Sequence, residues 1–137
     1  MGGRIDIHKA GGVIIRNRHF LVTRSKGSDI FIAPGGKLEN DETPMQALMR
    51  EILEEIDVET NVGMLDYLGT FFADAAGKIG VHLRMDVYLI NDLTSEPTPS
   101  SEIEEIRWIN TQTTGIKLGS IFEHDVMPLL KANDLID

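Results

Sequence analysis

Runs of apolar residues alternate with short polar segments along most of this chain of 137 residues. Several of the runs are rich in β-branched and aromatic residues and predict strands, at residues 5–17, 20–23, 64–73, 81–90 and 103–109. Gly27-Ser28-Asp29 predicts a turn before a shorter apolar run at 30–33, and Pro34-Gly35-Gly36 interrupts regular structure there. Ala75-Ala76-Gly77 separates two of the predicted strands, and residues 91–101, rich in Ser, Thr and Pro, predict a loop.

Residues 43–56 show the apolar periodicity of a helix. Thr43 is a suitable N-cap, Pro44 suits the first turn, and Gln46 completes a capping box with Thr43. On a helical wheel the apolar residues gather on one face, formed by Met45, Met49, Ile52 and Ile56. A second helix is predicted at 121–131. Strands with intervening helices indicate an α/β sandwich.

The first helix also carries carboxylates beside its apolar face. At about 100° per residue, Glu55 lies about 40° and Glu54 about −60° from Glu51, and these residues are called the acidic stripe below. A solvated acidic surface is the common explanation for such a run. Here, however, the charges repel each other at helical spacing, and Glu54 and Glu55 stand near the helix C-terminus, where the helix dipole disfavours anions. A bound divalent cation would relieve both conflicts, which favours a metal site.

Composition narrows the chemistry further. The formal net charge of −9 argues against binding of nucleic-acid polymers, which depends on basic patches. The chain has no cysteine, which excludes a disulfide framework, a thiolate zinc site and a thiol nucleophile, and suits a reducing cytoplasm. Hard oxygen ligands without cysteine favour magnesium or manganese over zinc.

Length and hydropathy predict one domain, residues 1–137, that does not cross a membrane. Apolar runs stay shorter than the ~18 residues that a membrane span needs. The N-terminus Met1-Gly2-Gly3-Arg4 lacks the apolar stretch of a signal peptide. A cytoplasmic protein is therefore expected.

The residues around the acidic stripe follow a spacing that resembles the Nudix box. Gly36 is followed by five residues, then Glu42, seven further residues and Arg50-Glu51-Ile52-Leu53-Glu54-Glu55-Ile56-Asp57-Val58. The box reads G-x5-E-x7-R-E-U-x-E-E-x-G-U, with U an aliphatic residue, and the single departure is Asp57 in place of glycine. Asp57 would stand just past the helix end in a left-handed conformation, which Asp tolerates better than most residues.

Resemblance to the Nudix family implies a fold, a reaction and a set of ligands. The fold is a Nudix-type α/β/α sandwich with a mixed β-sheet. The reaction is Mg²⁺-dependent hydrolysis, with Mn²⁺ as an alternative ion, of a nucleoside diphosphate linked to another group, by attack of water at phosphorus. The metal ligands would be the carbonyl of Gly36 and the carboxylates of Glu51, Glu54 and Glu55. Arg50 joins these glutamates as a catalytic residue, and Glu42 is expected to pair with Arg50 rather than touch the metal.

Residues outside the box resemble the MutT-like branch. Gly35-Gly36-Lys37-Leu38-Glu39, followed by Glu42-Thr43-Pro44, is typical of that branch. The resemblance implies a small-molecule substrate, a nucleoside triphosphate cleaved to monophosphate and pyrophosphate, with 8-oxo-dGTP as one candidate. MutT-like enzymes also carry a further metal-binding glutamate at about the position of Glu102, although Glu104 and Glu105 are neighbours that could take this role.

Three further residues are candidates for substrate binding. Arg24 and Lys37 flank the glycine-rich turn and could hold phosphates, or could be ordinary surface cations. In MutT-like proteins, a polar side chain at the start of the last helix contacts the edge of a purine. Glu123 stands at a similar position in this chain. The alternative is that Glu123 only interacts favourably with the positive N-terminal end of the helix dipole.

Other functions stay open at this point. Hydrolysis of ADP-ribose or of dinucleoside polyphosphates would use the same fold. A non-catalytic Nudix module that binds nucleotide belongs to another class, but such modules usually lose box glutamates that are present here. Isopentenyl diphosphate isomerase, a fold relative, uses a catalytic cysteine that this chain lacks. The oligomeric state is undetermined, and residues 8–15 could form an edge strand that pairs between subunits.

Overall fold

The computed structural model describes residues 5–74 and 80–137 of the chain. Residues 1–4 and the predicted connection at Ala75-Ala76-Gly77 lie outside the described residues. The strands are β1 Ile7–Val13, β2 Ile15–Arg16, β3 His19–Ser25, β4 Ile30–Ile32, β5 Gly35–Lys37, β6 Leu65–Asp74, β7 His82–Ile90, β8 Ile103–Ile109 and β9 Lys117–Leu118. The helices are α1 Pro44–Ile56 and α2 Met127–Ala132, with a 3-10 turn at Val62–Met64 and a π-helical turn at Phe122–Val126.

The strands form mixed sheets that lie between the helices. The first sheet has the order β5-β1-β7-β6, with β1 and β7 parallel and the other pairs antiparallel. The second has the order β2-β3-β4-β9, and β8 pairs with β3. Among the strand pairs described in this second sheet, β4 and β9 are parallel and the others are antiparallel. The α/β/α sandwich with mixed sheets is confirmed.

Alternate residues of the strands face opposite helices. Phe20 and Val22 of β3 belong to a buried cluster that includes α2 residues such as Leu130. Leu21, between them, belongs to a second cluster with Leu48 of α1. Because side chains alternate along a strand, one strand supplies both faces of the central layer. The helices are therefore fixed on opposite sides of the sheets.

The first predicted strand is divided in the structure. Residues 5–17 form β1 and β2, which belong to different sheets, and the chain then turns back into β3. Asn17 and Arg18 have φ angles of 51° and 61°, as a tight hairpin turn requires. The hypothesis that residues 8–15 form an edge strand is wrong, because β1 pairs with β5 on one side and β7 on the other.

Helix α1 follows its predicted start and end closely. The capping box is present, with the N–H of Gln46 donating to Thr43 Oγ1 over 3.2 Å and the N–H of Thr43 donating to Gln46 Oε1 over 2.9 Å. Asp57 ends the helix in the left-handed conformation at φ 56°. The predicted apolar face is shifted, however. The fully buried residues are Ala47, Leu48, Ile52 and Ile56, whereas Met45 and Met49 are only partly buried at its border.

The second predicted helix, 121–131, is irregular at its start. Residues Phe122–Val126 form a π-helical turn, and regular α2 begins only at Met127. The short strands β5 and β9 were not predicted, since each is too short to show an alternating pattern. Within the described residues, no helix is both long and apolar enough to cross a bilayer.

A buried carboxylate, that of Asp86, lies within the first sheet. Asp86 on β7 is 2% exposed and accepts hydrogen bonds of 2.5 Å from Thr70 Oγ1 and His8 Nε2. Arg84 Nη2 lies 3.3 Å from it. Burial acts to raise the pKa of Asp86, but these hydrogen bonds and the Arg84 charge outweigh burial and leave the pKa below its usual value. The ionised carboxylate therefore links β1, β6 and β7.

We expect Asp86→Asn to lower the free energy of unfolding near neutral pH by about 1–3 kcal/mol, because charge-assisted hydrogen bonds are lost in a buried place. The folded-state pKa is lowered, so the wild-type advantage is complete above the unfolded pKa of about 4 and disappears as pH falls through the folded pKa. Urea denaturation from pH 7 to pH 3 measures this. The exposed Glu59→Gln is the control, and equal loss of stability at every pH would contradict the assignment.

Candidate active site

The glycine-rich turn lies close to both strand β1 and helix α1. A Cβ atom at Gly35, where φ is 149°, would stand 2.1 Å from the carbonyl oxygen of Ala10 on β1. A Cβ atom at Gly36 would stand 2.7 Å from the carboxyl carbon of Glu51 on α1. Glycine is therefore needed at Gly35, whereas a Cβ at Gly36 would require the flexible end of the Glu51 side chain to move. The backbone of the turn touches the acidic stripe.

The stripe carboxylates are buried to different degrees. The Glu54 side chain is 52% exposed, whereas that of Glu51 is 18% exposed. Glu55 is partly buried, and its Oε1 accepts a hydrogen bond of 2.7 Å from the N–H of Gly35. Two of these carboxylates are thus placed against the turn, and the third faces solvent.

Arg50 makes its shortest hydrogen bonds to two glutamates and also lies 3.5 Å from Glu54 Oε2. Its Nε and Nη2 donate to the two oxygens of Glu42 over 2.8 and 2.9 Å, and its Nη1 donates to Glu51 Oε1 over 2.8 Å. Nη2 also donates to the carbonyl oxygen of Lys37 over 3.1 Å. Hydrogen bonds from Arg50 lower the pKa of Glu42 to about 2. The ion pair predicted between Glu42 and Arg50 is present, and it ties α1 to the loop before it.

Burial and mutual repulsion act against ionisation of the inner carboxylates. Burial raises the pKa of Glu55 to about 8, and Glu51 and Glu54 raise it further, although the N–H of Gly35 and the charge of Lys9 oppose the shift. Burial likewise raises the pKa of Glu51. The site therefore contains more negative charge than its own cations balance.

The acidic stripe fits a divalent cation in charge and in donor type. Its donors are carboxylate oxygens, the ligands that Mg²⁺ and Mn²⁺ prefer. Within the described residues, no three Asp, Glu or His side chains converge at ligand distances. Glu51 is turned to Arg50, and Glu55 to Gly35. Binding of an ion would require these carboxylates to exchange their present partners for the metal.

The loop before β8 is held against the C-terminal end of α1. The N–H groups of Thr98 and Ser100 donate over 3.0 Å to the carbonyl oxygens of Ile56 and Glu55. These bonds satisfy carbonyls that a helix end leaves unpaired. They also bring the segment that carries Glu102 to the end of α1 where the acidic stripe lies. Glu102 itself is exposed, so its part in a metal site stays a prediction.

A largely apolar cavity of about 390 Å³ lies on the other side of the glycine-rich turn. Gly35 and Gly36 form part of its wall, so the cavity and the acidic stripe share this turn. Its apolar lining includes Ile7, Ile32, Leu83, Met85, Leu118 and Phe122. Its polar side chains are those of Lys9, Asp74 and Ser120. Another cavity, of about 290 Å³ beside Arg16, contains no box residue.

The structure brings none of the three predicted substrate-binding residues into the lining of this cavity. Arg24 Nε donates to Glu105 Oε1 over 2.8 Å, and Arg24 is absent from the cavity lining. Lys37 is exposed at the end of β5. Glu123 is exposed on the π-helical turn, outside the lining. The structure leaves the roles of Arg24, Lys37 and Glu123 as predictions.

Sequence analysis missed Lys9. Its side chain lines the cavity from β1, where burial and the nearby Lys37 lower the pKa of the amine, while Glu55 and Glu51 act to raise it. The available signal was a charged residue inside a run that otherwise predicts a strand with apolar neighbours. Such a residue is normally assigned to the solvent face of a sheet, and only the pairing of β1 places Lys9 in the cavity.

Comparison with known proteins agrees with this geometry. The NUDIX domain family model matches residues 6–130. The chain belongs to the Nudix family. Its relatives include the 8-oxo-dGTP diphosphatase of Proteus vulgaris, 36% identical over 98 residues that cover 67% of this chain and 82% of the relative. The CTP pyrophosphohydrolase of Escherichia coli K12 is 32% identical over 77 residues, 56% of this chain and 53% of that protein.

Solved structures show the same fold. The MutT NUDIX hydrolase from Burkholderia pseudomallei superposes with a TM-score of 0.73 at 23% identity, over 91% of this chain and 95% of that one. The protein is therefore a Nudix hydrolase of the pyrophosphohydrolase type, MutT-like in its relatives. Nudix hydrolases generally use a divalent metal, in agreement with the acidic stripe.

In metal-free buffer at pH 8–9, we expect Glu55→Gln to raise the melting temperature of this Nudix hydrolase by about 2–8 °C. The amide oxygen can still accept from Gly35, while the buried charge is removed. Because the folded-state pKa is raised to about 8, the gain should grow as pH rises from about 4 to 8 and vanish in acid. The exposed Glu54→Gln is the control in differential scanning calorimetry. A variant less stable than wild type at pH 9 would show that the Glu55 charge does not destabilise the folded state.

Proposed function

We propose that this protein hydrolyses nucleoside triphosphates to monophosphate and pyrophosphate in a Mg²⁺-dependent reaction. The observation that carries the proposal is the shared glycine-rich turn, with the acidic stripe on one side and the apolar cavity on the other. A nucleotide has the same division, since an apolar base is joined to an anionic phosphate chain. The base would lie in the cavity and the phosphates beside the stripe.

A cation is needed because the protein and its substrate are both anionic. The formal net charge is −9, and the stripe residues lie where the phosphates would bind. Glu51, Glu54 and Glu55, with the carbonyl of Gly36, would hold the ion. Bound Mg²⁺ would screen the phosphate charge and make phosphorus more electrophilic. Mn²⁺ has similar ligand preferences and is expected to substitute.

The protein's own residues would orient and deprotonate the attacking water. Arg50 fixes Glu51, and the N–H of Gly35 fixes Glu55, so both carboxylates start from defined positions. A glutamate of the stripe, or Glu102 at the end of α1, would accept the proton. General bases of this kind contribute about 10²–10⁴-fold to a rate. Glu42 would act by holding Arg50.

The names of the relatives suggest two substrates for testing. One relative is an 8-oxo-dGTP diphosphatase and another a CTP pyrophosphohydrolase. A base in the cavity could be recognised by Asp74, whose carboxylate accepts hydrogen bonds from amino and imino groups, and by the Ser120 hydroxyl. Arg24 and Lys37 remain candidates for the outer phosphates, and Glu123 for the base.

With Mg²⁺ present, we expect turnover of 8-oxo-dGTP, dGTP or CTP in a panel that also contains ADP-ribose and diadenosine polyphosphates. Chromatography should find monophosphate and pyrophosphate as products. Release of a sugar phosphate or a longer nucleotide would instead assign the protein to the ADP-ribose or dinucleoside polyphosphate hydrolases. No turnover of any compound with either Mg²⁺ or Mn²⁺ would favour a nucleotide-binding module.

Removal of one stripe carboxylate should abolish most of this activity. We expect Glu54→Gln and Glu55→Gln each to reduce kcat by about 10²-fold or more, since each would remove a charged metal ligand. The exposed Glu59→Gln is a matched control on the same acidic protein. Wild-type rates for both stripe variants would exclude α1 as the metal site.

Base recognition can be tested separately. Asp74→Asn changes an acceptor inside the cavity lining, whereas Glu123→Ala changes the predicted residue outside it. We expect the order of kcat/KM values among guanine and cytosine nucleotides to change in the variant whose side chain contacts the base. If neither variant changes the order, base recognition belongs to other residues of the cavity.

A further inference from the structure

Lys9 lies at the centre of the first sheet rather than at its margin. In register it stands opposite Lys37 of β5 on one side and Met85 of β7 on the other. Its side chain enters the cavity, whose wall on the β5 side is formed by Gly35 and Gly36. The amine is therefore placed between the apolar part of the cavity and the turn that touches the acidic stripe.

The ammonium group of Lys9 has no protein partner in the part of the chain that the structure describes. No hydrogen bond or ion pair to it is found there, although Glu55 and Glu51 are close enough to influence its charge. The partly buried Arg24 and Arg50, by contrast, both donate to carboxylates. A charged group that is withdrawn from water without a partner is unfavourable. Such a cost is expected where a ligand supplies the partner.

Two explanations are compatible with this position. The amine could balance the charge of Glu55 and so help to place that carboxylate. Alternatively, it could bind an anionic group of the substrate directly. The second explanation agrees better with the side chain's place in the cavity lining and with the absence of a contact between Lys9 and any carboxylate among the described residues.

We propose that Lys9 binds the phosphate that is attached to the nucleoside. Its ammonium would donate to a non-bridging oxygen of that phosphate, while the base occupies the apolar part of the cavity. The inner phosphate is chosen because Lys9 borders the cavity, whereas the acidic stripe, which would hold the metal, lies beyond the turn. Lysine suits this task as a flexible point charge with three donors. The assignment rests on the proposed function, since it assumes a nucleotide in the cavity.

Binding measurements without metal isolate this contact. Calorimetric titration would compare dGMP with deoxyguanosine and CMP with cytidine in the presence of EDTA, for wild type, Lys9→Met and Lys9→Arg. Wild type should bind at least one monophosphate more tightly than its nucleoside. Lys9→Met should weaken binding of that monophosphate about 10–100-fold and leave the affinity for the nucleoside unchanged. Lys9→Arg, which keeps the charge, should recover part of the affinity.

Controls separate this role from a structural one. Lys131→Met removes an exposed lysine of α2 and should bind as wild type does. If Lys9→Met does not fold, as judged by its melting curve, Lys9→Gln takes its place, with a polar end of similar reach. Steady-state kinetics provide a second measurement. Loss of a phosphate contact should raise KM for the triphosphate, whereas misplacement of Glu55 should lower kcat alone.

Several results would overturn the assignment. These are an unchanged affinity of Lys9→Met for the monophosphates, an equal loss for nucleoside and monophosphate, a loss of kcat alone, or a wild-type protein that binds no monophosphate. Failure of the proposed function would give a different experimental result. Wild type would then bind the monophosphate through Lys9 but hydrolyse nothing in the substrate panel.

Discussion

Close contact between helix α1 and strands β1 and β5 is the constraint on which the site depends. The contact is possible because Gly35 carries no side chain, since a Cβ atom there would collide with the carbonyl oxygen of Ala10, and because Gly36 leaves space for the carboxylate of Glu51. The backbone of Gly35 and Gly36 can therefore pair with β1 as part of β5 and also contact the carboxylates of α1. Without that approach, the acidic stripe and the cavity would be separate features of the surface.

The same contact makes the site electrostatically costly. Glu55 is brought out of water beside two other glutamates, and its pKa rises to about 8. Arg50 offsets part of the cost but is shared between Glu42 and Glu51. A fold that keeps such a cluster gives up stability at a place whose carboxylate oxygens suit a divalent cation. This trade is expected at functional sites, where local rules are broken together.

Catalysis and recognition are assigned to different parts of the fold. The box residues lie on α1 and in the segment before it, and the proposed chemistry is placed on them. The cavity is formed by strands β1, β4, β6, β7 and β9 and by the segment before α2, and Gly35 and Gly36 are the part of its wall that belongs to the glycine-rich turn. Under the proposed function, substitutions of Lys9 or Asp74 would therefore change the preferred substrate and leave the reaction unchanged. The differing names of the relatives agree with this division.

Helix α1, its caps and the acidic stripe depend on contacts within a few residues, so spacing along the chain is enough to predict them. The ion pair between Glu42 and Arg50 was expected from the resemblance to the Nudix box. Strand pairing between distant segments places β1 inside its sheet, Lys9 in the cavity wall, and Arg24 beside Glu105 and outside the cavity. These outcomes depend on strand order and register between distant segments. Alternation of residue types predicts the two faces of a strand, but strand order and register determine which residues each face contacts.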